Sequence, residues 1–199
     1  MEKELNSVAF ESKIDCLQNL LIMLCKQNHL NVEALYFLWP WEFLYKVSND
    51  NKLSIDITDV IDSEKLYKYF HVDFKQSFFE NPEELLKQVV ILVKNGTPVI
   101  VSTDQFYIPY HYQHIFGFEH GLHSVLLYKI NQNNTVSCVS SIPQFVGSIE
   151  YSKIKKAILS DSVKHWCATT SFNSCQSISM QSAWMKYRNK LKKIVERCV

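Results

Sequence analysis

Glycine is scarce. The chain of 199 residues holds only four, Gly96, Gly117, Gly121 and Gly147, against an average usage of about 7%. No two of them stand in a GxGxxG spacing, and no GxxxxGK[ST] occurs. The glycine-rich cradles that bind dinucleotides and nucleotides are therefore excluded in their usual form. Six cysteines are present but none forms a CxxC pair, which leaves a zinc ribbon or a thioredoxin-type redox site without support. No charge of one sign prevails: 21 Lys and Arg face 20 Asp and Glu, a net +1, whereas a dedicated nucleic-acid binder carries a basic surplus. Long apolar runs are missing too. The longest, Leu20–Cys25 and Val89–Val93, fall far short of the roughly 20 residues that span a bilayer. The start, Met1–Ser7, is polar and charged and lacks a secretory h-region. These absences predict a cytoplasmic protein with reduced thiols, no membrane span and no nucleic-acid partner.

What is present suits a soluble domain: 47% hydrophobic and 21% charged residues. A compact chain of this length buries roughly 70% of the surface its unfolded form exposes, so a single domain over 1–199 needs no staples. Residues 14–27 are predicted helical, with Ile14, Leu17, Leu20, Leu21, Leu24 and Cys25 at helical spacing and Ser12 or Asp15 as cap. A short helix over Asn31–Phe37, a weak strand over Phe43–Val47 and a helix over Ser63–Phe70 follow. Asn81-Pro82-Glu83-Glu84 combines an N-cap, a first-position proline and two acidic residues, and opens a helix to Lys94. Pro98–Thr103 reads as a buried strand and Asp104–Gly121 as an aromatic loop. Leu122–Ile130 alternates, with His123, Val125 and Leu127 on one side, and pairs as a hairpin with Thr135–Val139. Ser148–Leu159 turns helical in its later part. Residues 176–198 form a long basic amphipathic helix. Helices, then sheet, then helix predict an α+β fold with a mainly antiparallel sheet.

Cys16 stands at the start of the first predicted helix, where the helix dipole and free amides stabilise a thiolate. Position alone suits a buried structural thiol better. Cys25, nine residues deeper on the apolar face, is expected to be an inert core thiol. His123, near the start of its strand, is the natural base for a cysteine nucleophile. The spacings His111-x2-His114 and His120-x2-His123, near Asp104 or Glu119, could mimic metal pairs, but HExxH is absent. His111, His114 and His120 are read as loop histidines, and no metal is expected.

Three strings then combine: Asp15-Cys16-Leu17-Gln18-Asn19-Leu20; Gly96-Thr97-Pro98-Val99-Ile100 leading to Thr103-Asp104-Gln105-Phe106-Tyr107-Ile108-Pro109-Tyr110; and His120-Gly121-Leu122-His123-Ser124-Val125. Over about residues 10–160 this order resembles the N-terminal domain of the butirosin-biosynthesis BtrH family, papain-fold acyltransferases of natural-product pathways. The resemblance implies a papain-like fold, N-terminal helices on an antiparallel sheet. It implies Cys16 as nucleophile and His123 as base. It implies no cofactor beyond an acyl group arriving as a carrier-protein thioester, with a small-molecule amine or hydroxyl as acceptor. Gln18, Tyr107, Tyr110 and His120 would face the substrate, and Asp104 would brace the cleft or supply charge. Simple aromatic packing accounts equally well for Tyr107 and Tyr110. The same dyad would serve a thioesterase, amidase or peptidase, or stand idle in a scaffold that binds a carrier protein.

Two departures from the papain-like pattern stand out. The Asp or Asn that usually orients the histidine is replaced by serine, at Ser140 or Ser141. The glutamine expected six residues before the nucleophile is Phe10. The Cys16 backbone N–H still offers one oxyanion donor. At the other end, Lys186, Arg188, Lys190, Lys192 and Lys193 make the terminal helix basic. That surface is either a solvated face or a docking surface for an acidic carrier protein.

Overall fold

A computed structural model describes residues 16–30, 43–47, 53–57, 63–112 and 115–172. The caps proposed at Ser12 and Asp15, the helix over Asn31–Phe37, and the basic helix over 176–198 with Lys186, Arg188, Lys190, Lys192 and Lys193 lie outside the described residues. The elements in order are α1 (Cys16–Gln27), β1 (Phe43–Val47), β2 (Leu53–Ile57), α2 (Ser63–Phe70), β3 (Val72–Phe78) and α3 (Pro82–Lys94). Then come β4 (Val99–Asp104), a 3-10 turn (Gln105–Tyr107), β5 (Leu122–Ile130), β6 (Thr135–Ser141), β7 (Gln144–Glu150), α4 (Tyr151–Ile158) and β8 (Trp166–Phe172). The class is α+β, as the element order predicted. The strands β2, β3, β7 and β8 are additions that the sequence reading did not contain.

The described residues group into two compact units. The smaller holds α2 and the antiparallel hairpin β1–β2, with Phe43 opposite Ile57 and Val47 opposite Leu53. The larger holds α1, α3, α4 and the body of a six-stranded sheet in the order β3-β8-β4-β5-β6-β7. The pairings β8–β4, β4–β5, β5–β6 and β6–β7 are all antiparallel.

Local chemistry explains the boundaries around the sheet. Asn81 caps α3 by accepting from the Glu83 N–H at 2.9 Å, an interaction of about 1 kcal/mol. Pro82 occupies a first-turn position where no amide is needed. Leu85, Leu86, Val89 and Val93 form the buried stripe of α3, the spacing of one helix face. The hairpin between β5 and β6 closes where the Asn131 side-chain amide donates to Thr135 Oγ1 and Ser137 Oγ, each at 3.0 Å.

The register sorts the two faces of the sheet. Val99 stands opposite Leu127, Val101 opposite Val125, and Thr103 opposite His123. Alternation puts these residues on one face. There Val99, Val101, Val125, Leu127, Val136 and Cys138 form one apolar cluster with the α3 stripe and with Ile154, Ala157 and Ile158 of α4. One step further along the same rows come Thr103, His123 and Ser140. The apolar face therefore ends in a polar row, all three residues of which are buried. The opposite face buries Ile100, Leu126 and Val139. α1 lies against β5 and β6 and gives no residue to the first cluster.

Candidate active site

His123 is 4% exposed, and its Nε2 shares a hydrogen bond with Ser140 Oγ at 2.9 Å. Its carbonyl accepts from Thr103 Oγ1 at 3.0 Å, so backbone and ring are both fixed. Burial, and then the His111 ring packed edge-on with centroids 5.2 Å apart, push the His123 pKa down to about 3. The imidazole is accordingly neutral through the physiological range. The Ser140 hydroxyl can donate to Nε2 or accept from it, so the bond serves either tautomer of the ring.

Ser141, the next residue of β6, donates from Oγ to the Cys16 carbonyl at 3.3 Å. Two consecutive serines thus hold the histidine ring and the Cys16 end of α1. Strand alternation explains how, since neighbouring residues project to opposite faces. Among the four described cysteines, Cys16 is half-buried and the others are buried. Burial pushes Cys25 and Cys138 up to about 12 and Cys167 up to about 11. Those three thiols are inert at neutral pH, as expected for Cys25. Gln18 is buried in α1.

Asp104 serves another part of the structure. Its side chain has no accessible surface, although it lies shallow beneath the loop. Oδ2 accepts from Ser160 Oγ at 2.6 Å and pairs with His120 Nδ1 at 2.6 Å. Oδ1 accepts from the N–H groups of Phe106 at 3.1 Å and Gly121 at 3.2 Å. Burial alone would raise its pKa; the hydrogen bonds from Ser160, His120, Phe106 and Gly121 outweigh it and hold the carboxyl below its ordinary value. The register places Asp104 opposite Leu122, on the other side of the strand from Thr103 and His123. Asp104 therefore pins both ends of the 104–121 loop, and Ser140 is the group on the His123 ring. The expectation that Asp104 supplies charge to His123 is replaced by a loop-bracing role.

The loop itself is an aromatic stack. Phe106 lies flat on His120, centroids 4.3 Å apart and planes within 6°, with Tyr107 edge-on to Phe106 at 4.9 Å. Gly117, at φ 76°, turns the chain so that its N–H reaches the Phe106 carbonyl at 2.9 Å, a conformation that favours glycine. Tyr107 packs against the apolar cluster, and His120 is half-exposed.

Tyr110 stacks on Phe145 of β7, with centroids 4.0 Å apart and planes within 7°. Its hydroxyl oxygen is buried and has no hydrogen-bond partner. The Ser140 hydroxyl, which is also on His123, lies close enough to draw the phenol pKa down slightly, although the pair falls outside ordinary hydrogen-bond geometry. Leaving such a group unsatisfied costs about 1–3 kcal/mol. Burial, and then the nearby Cys138 and Cys16 thiols, hold the phenol well above its ordinary pKa, so it keeps its proton.

Of the residues that the sequence reading singled out, His123 is joined to Ser140, the Cys16 carbonyl to Ser141, and Tyr110 lies near Ser140. Sequence reasoning missed three residues. His111 was read as a loop residue, yet its ring lies against His123; the HxxH spacing was the available signal. Phe145 and Ser160 carried no signal, because each meets its partner only through the fold.

Residues 40–141 match the family model for butirosin biosynthesis protein H, N-terminal, and the chain belongs to that family. The match contains Asp104, Tyr107, Tyr110, His120, His123, Ser140 and Ser141, while Cys16 and Gln18 precede it. No curated protein matches the chain. Membership points to natural-product biosynthesis. Among the described residues no helix is long and apolar enough to cross a membrane.

Proposed function

We propose that this butirosin H-type chain is a papain-like cysteine acyltransferase of natural-product biosynthesis. Cys16 is the nucleophile, His123 the base, and Ser140 the group that orients the ring. One observation carries the reading. Ser140 and Ser141, adjacent on β6, hold His123 Nε2 at 2.9 Å and the Cys16 carbonyl at 3.3 Å. In this reading Nε2 donates to Ser140, the tautomer that leaves Nδ1 to accept the thiol proton. A neutral hydroxyl orients imidazole but stabilises imidazolium less than a carboxylate does. An acyl group delivered as a carrier-protein thioester passes to Cys16. An amine or hydroxyl acceptor then takes it; water in that place would make the enzyme a thioesterase.

The test is the iodoacetamide alkylation rate against pH, with the label located by mass spectrometry, in wild type, Cys16→Ala and His123→Ala. Cys16 is expected to label well ahead of Cys25, Cys138 and Cys167, and at least tenfold more slowly in His123→Ala. If Cys16 reacts only above about pH 8.5, the ordinary thiol value, and is indifferent to His123, the reading fails. Incubation with an acyl thioester and candidate amines then separates transfer from hydrolysis by product mass.

A further inference from the structure

An acyl transfer turns a carbonyl oxygen into an oxyanion, and that oxygen needs donors already aimed at it. In the acyl-transfer reading the Cys16 N–H is one. Tyr110 has the properties of another. Its hydroxyl is buried and unpartnered, although buried polar groups are almost always hydrogen-bonded and an exception calls for an explanation. It lies near Ser140 and the Cys16 thiol. The ring is clamped flat on Phe145 at 4.0 Å, so the hydroxyl is positioned before substrate arrives. The nearby Ser140 hydroxyl is shared with His123 Nε2.

We propose that the Tyr110 hydroxyl is a catalytic hydrogen-bond donor to the acyl oxygen during attack by Cys16, an inference that rests on the acyl-transfer reading above. In the step, the Cys16 thiol proton moves to His123 Nδ1 and the sulfur forms a bond to the thioester carbon. The C=O π pair moves onto oxygen, which accepts hydrogen bonds from Tyr110 and the Cys16 N–H; Tyr110 keeps its proton. Collapse restores the C=O, breaks the bond to the departing sulfur, and that sulfur takes the proton from His123. Tyr110 titrates well above its ordinary range through burial and the neighbouring thiols, which keeps it a donor wherever the enzyme works.

Tyr110→Phe removes the oxygen and keeps the stack. The probe is the acetyl thioester of N-acetylcysteamine, and the readout is Cys16 acetylation by intact mass. Iodoacetamide alkylation of Cys16, which forms no oxyanion, runs beside it as a control, with thermal melting as a third measurement. Tyr110→Phe is expected to slow acetylation about 100-fold or more, the scale of a lost oxyanion donor. Alkylation should stay within twofold of wild type, and the melting temperature should be unchanged or higher. Equal acetylation of wild type and Tyr110→Phe overturns the proposal while the acyl-transfer reading stands. A lower melting temperature, or a parallel fall in alkylation, overturns it in favour of a structural hydroxyl. A wild type that alkylates at Cys16 but never acetylates overturns both.

Discussion

His120 and His123 are three residues apart and live in opposite chemical settings. His120 is half-exposed, stacked on Phe106, and paired at 2.6 Å with the buried carboxylate of Asp104. His123 is buried, faces a second histidine, and has a serine hydroxyl on Nε2. The histidine with the carboxylate resembles the conventional base of a triad, yet it sits on a loop that the carboxylate also pins through Phe106, Gly121 and Ser160. The histidine with the weaker partner stands next to the strand residue that holds Cys16. Proximity of an acid to a histidine is therefore a poor guide to the proposed base here, because the acid already serves the loop.

The largest expected effect breaks or sustains that distinction directly. His123→Ala should slow Cys16 acetylation by the N-acetylcysteamine thioester about 10³-fold, within the range of a lost general base. His120→Ala should slow it less than tenfold. Equal losses, measured by intact mass, would reassign the base to His120.

Acid stability separates the two settings by pH. The folded pKa of His123 is depressed to about 3 from 6.5, so the unfolded chain binds a proton that the native state refuses. Stability is full above about pH 6.5 and falls as pH drops toward 3. The slope is at most about 1.4 kcal/mol per pH unit, or about 2–3 kcal/mol between pH 6.5 and 4.5. Asp104, held below its ordinary value, loses its contribution only as pH falls through the carboxylate range, below about 4. Urea melts at several pH values should show the upper slope removed in His123→Asn and retained in Asp104→Asn.

Asp104→Ala strips the acceptor from two N–H groups, a hydroxyl and an imidazole. Water reaches this shallow position in the variant, so the expected loss is about 2 kcal/mol, read as a lower denaturation midpoint at neutral pH. Reactivity of Cys16 toward iodoacetamide should change little, because the residues around the thiol are held by β6. A loss of alkylation larger than the loss of stability would join the loop to the dyad.

Where the sequence was legible, local chemistry set the outcome. Asn81-Pro82 opened α3 where it was expected, and alternation placed His123, Val125 and Leu127 on one face. The unread strands depend on distant partners. β8 runs from buried Trp166 into half-exposed Thr169 and Thr170, and it is anchored by Ser102, which bonds the Trp166 N–H and carbonyl, each at 2.9 Å. β3 is buried only in its first half and exposes Lys75–Phe78, so no alternation marks it. The site divides likewise. Cys16, His123 and the two serines follow from order along the chain. The use of Asp104, the His111 contact and the unpartnered Tyr110 hydroxyl arise where a loop meets a turn, which no spacing encodes.

Ser140→Ala tests the weaker partner and should give the smallest change. The variant loses one neutral hydrogen bond to a ring that Thr103 still holds through the backbone and His111 through its edge. A net hydrogen bond of this kind contributes about 1 kcal/mol, so acetylation of Cys16 should fall about fivefold. Nε2 is then left in a buried site without a partner. The loss should therefore appear in the acylation rate and hardly in alkylation by iodoacetamide at high pH, where the thiol needs no base. A 10³-fold loss would mean that the serine does more than orient the ring. No loss at all would mean that packing alone orients the ring, and that the hydroxyl differs from Asp104 in having no task to lose.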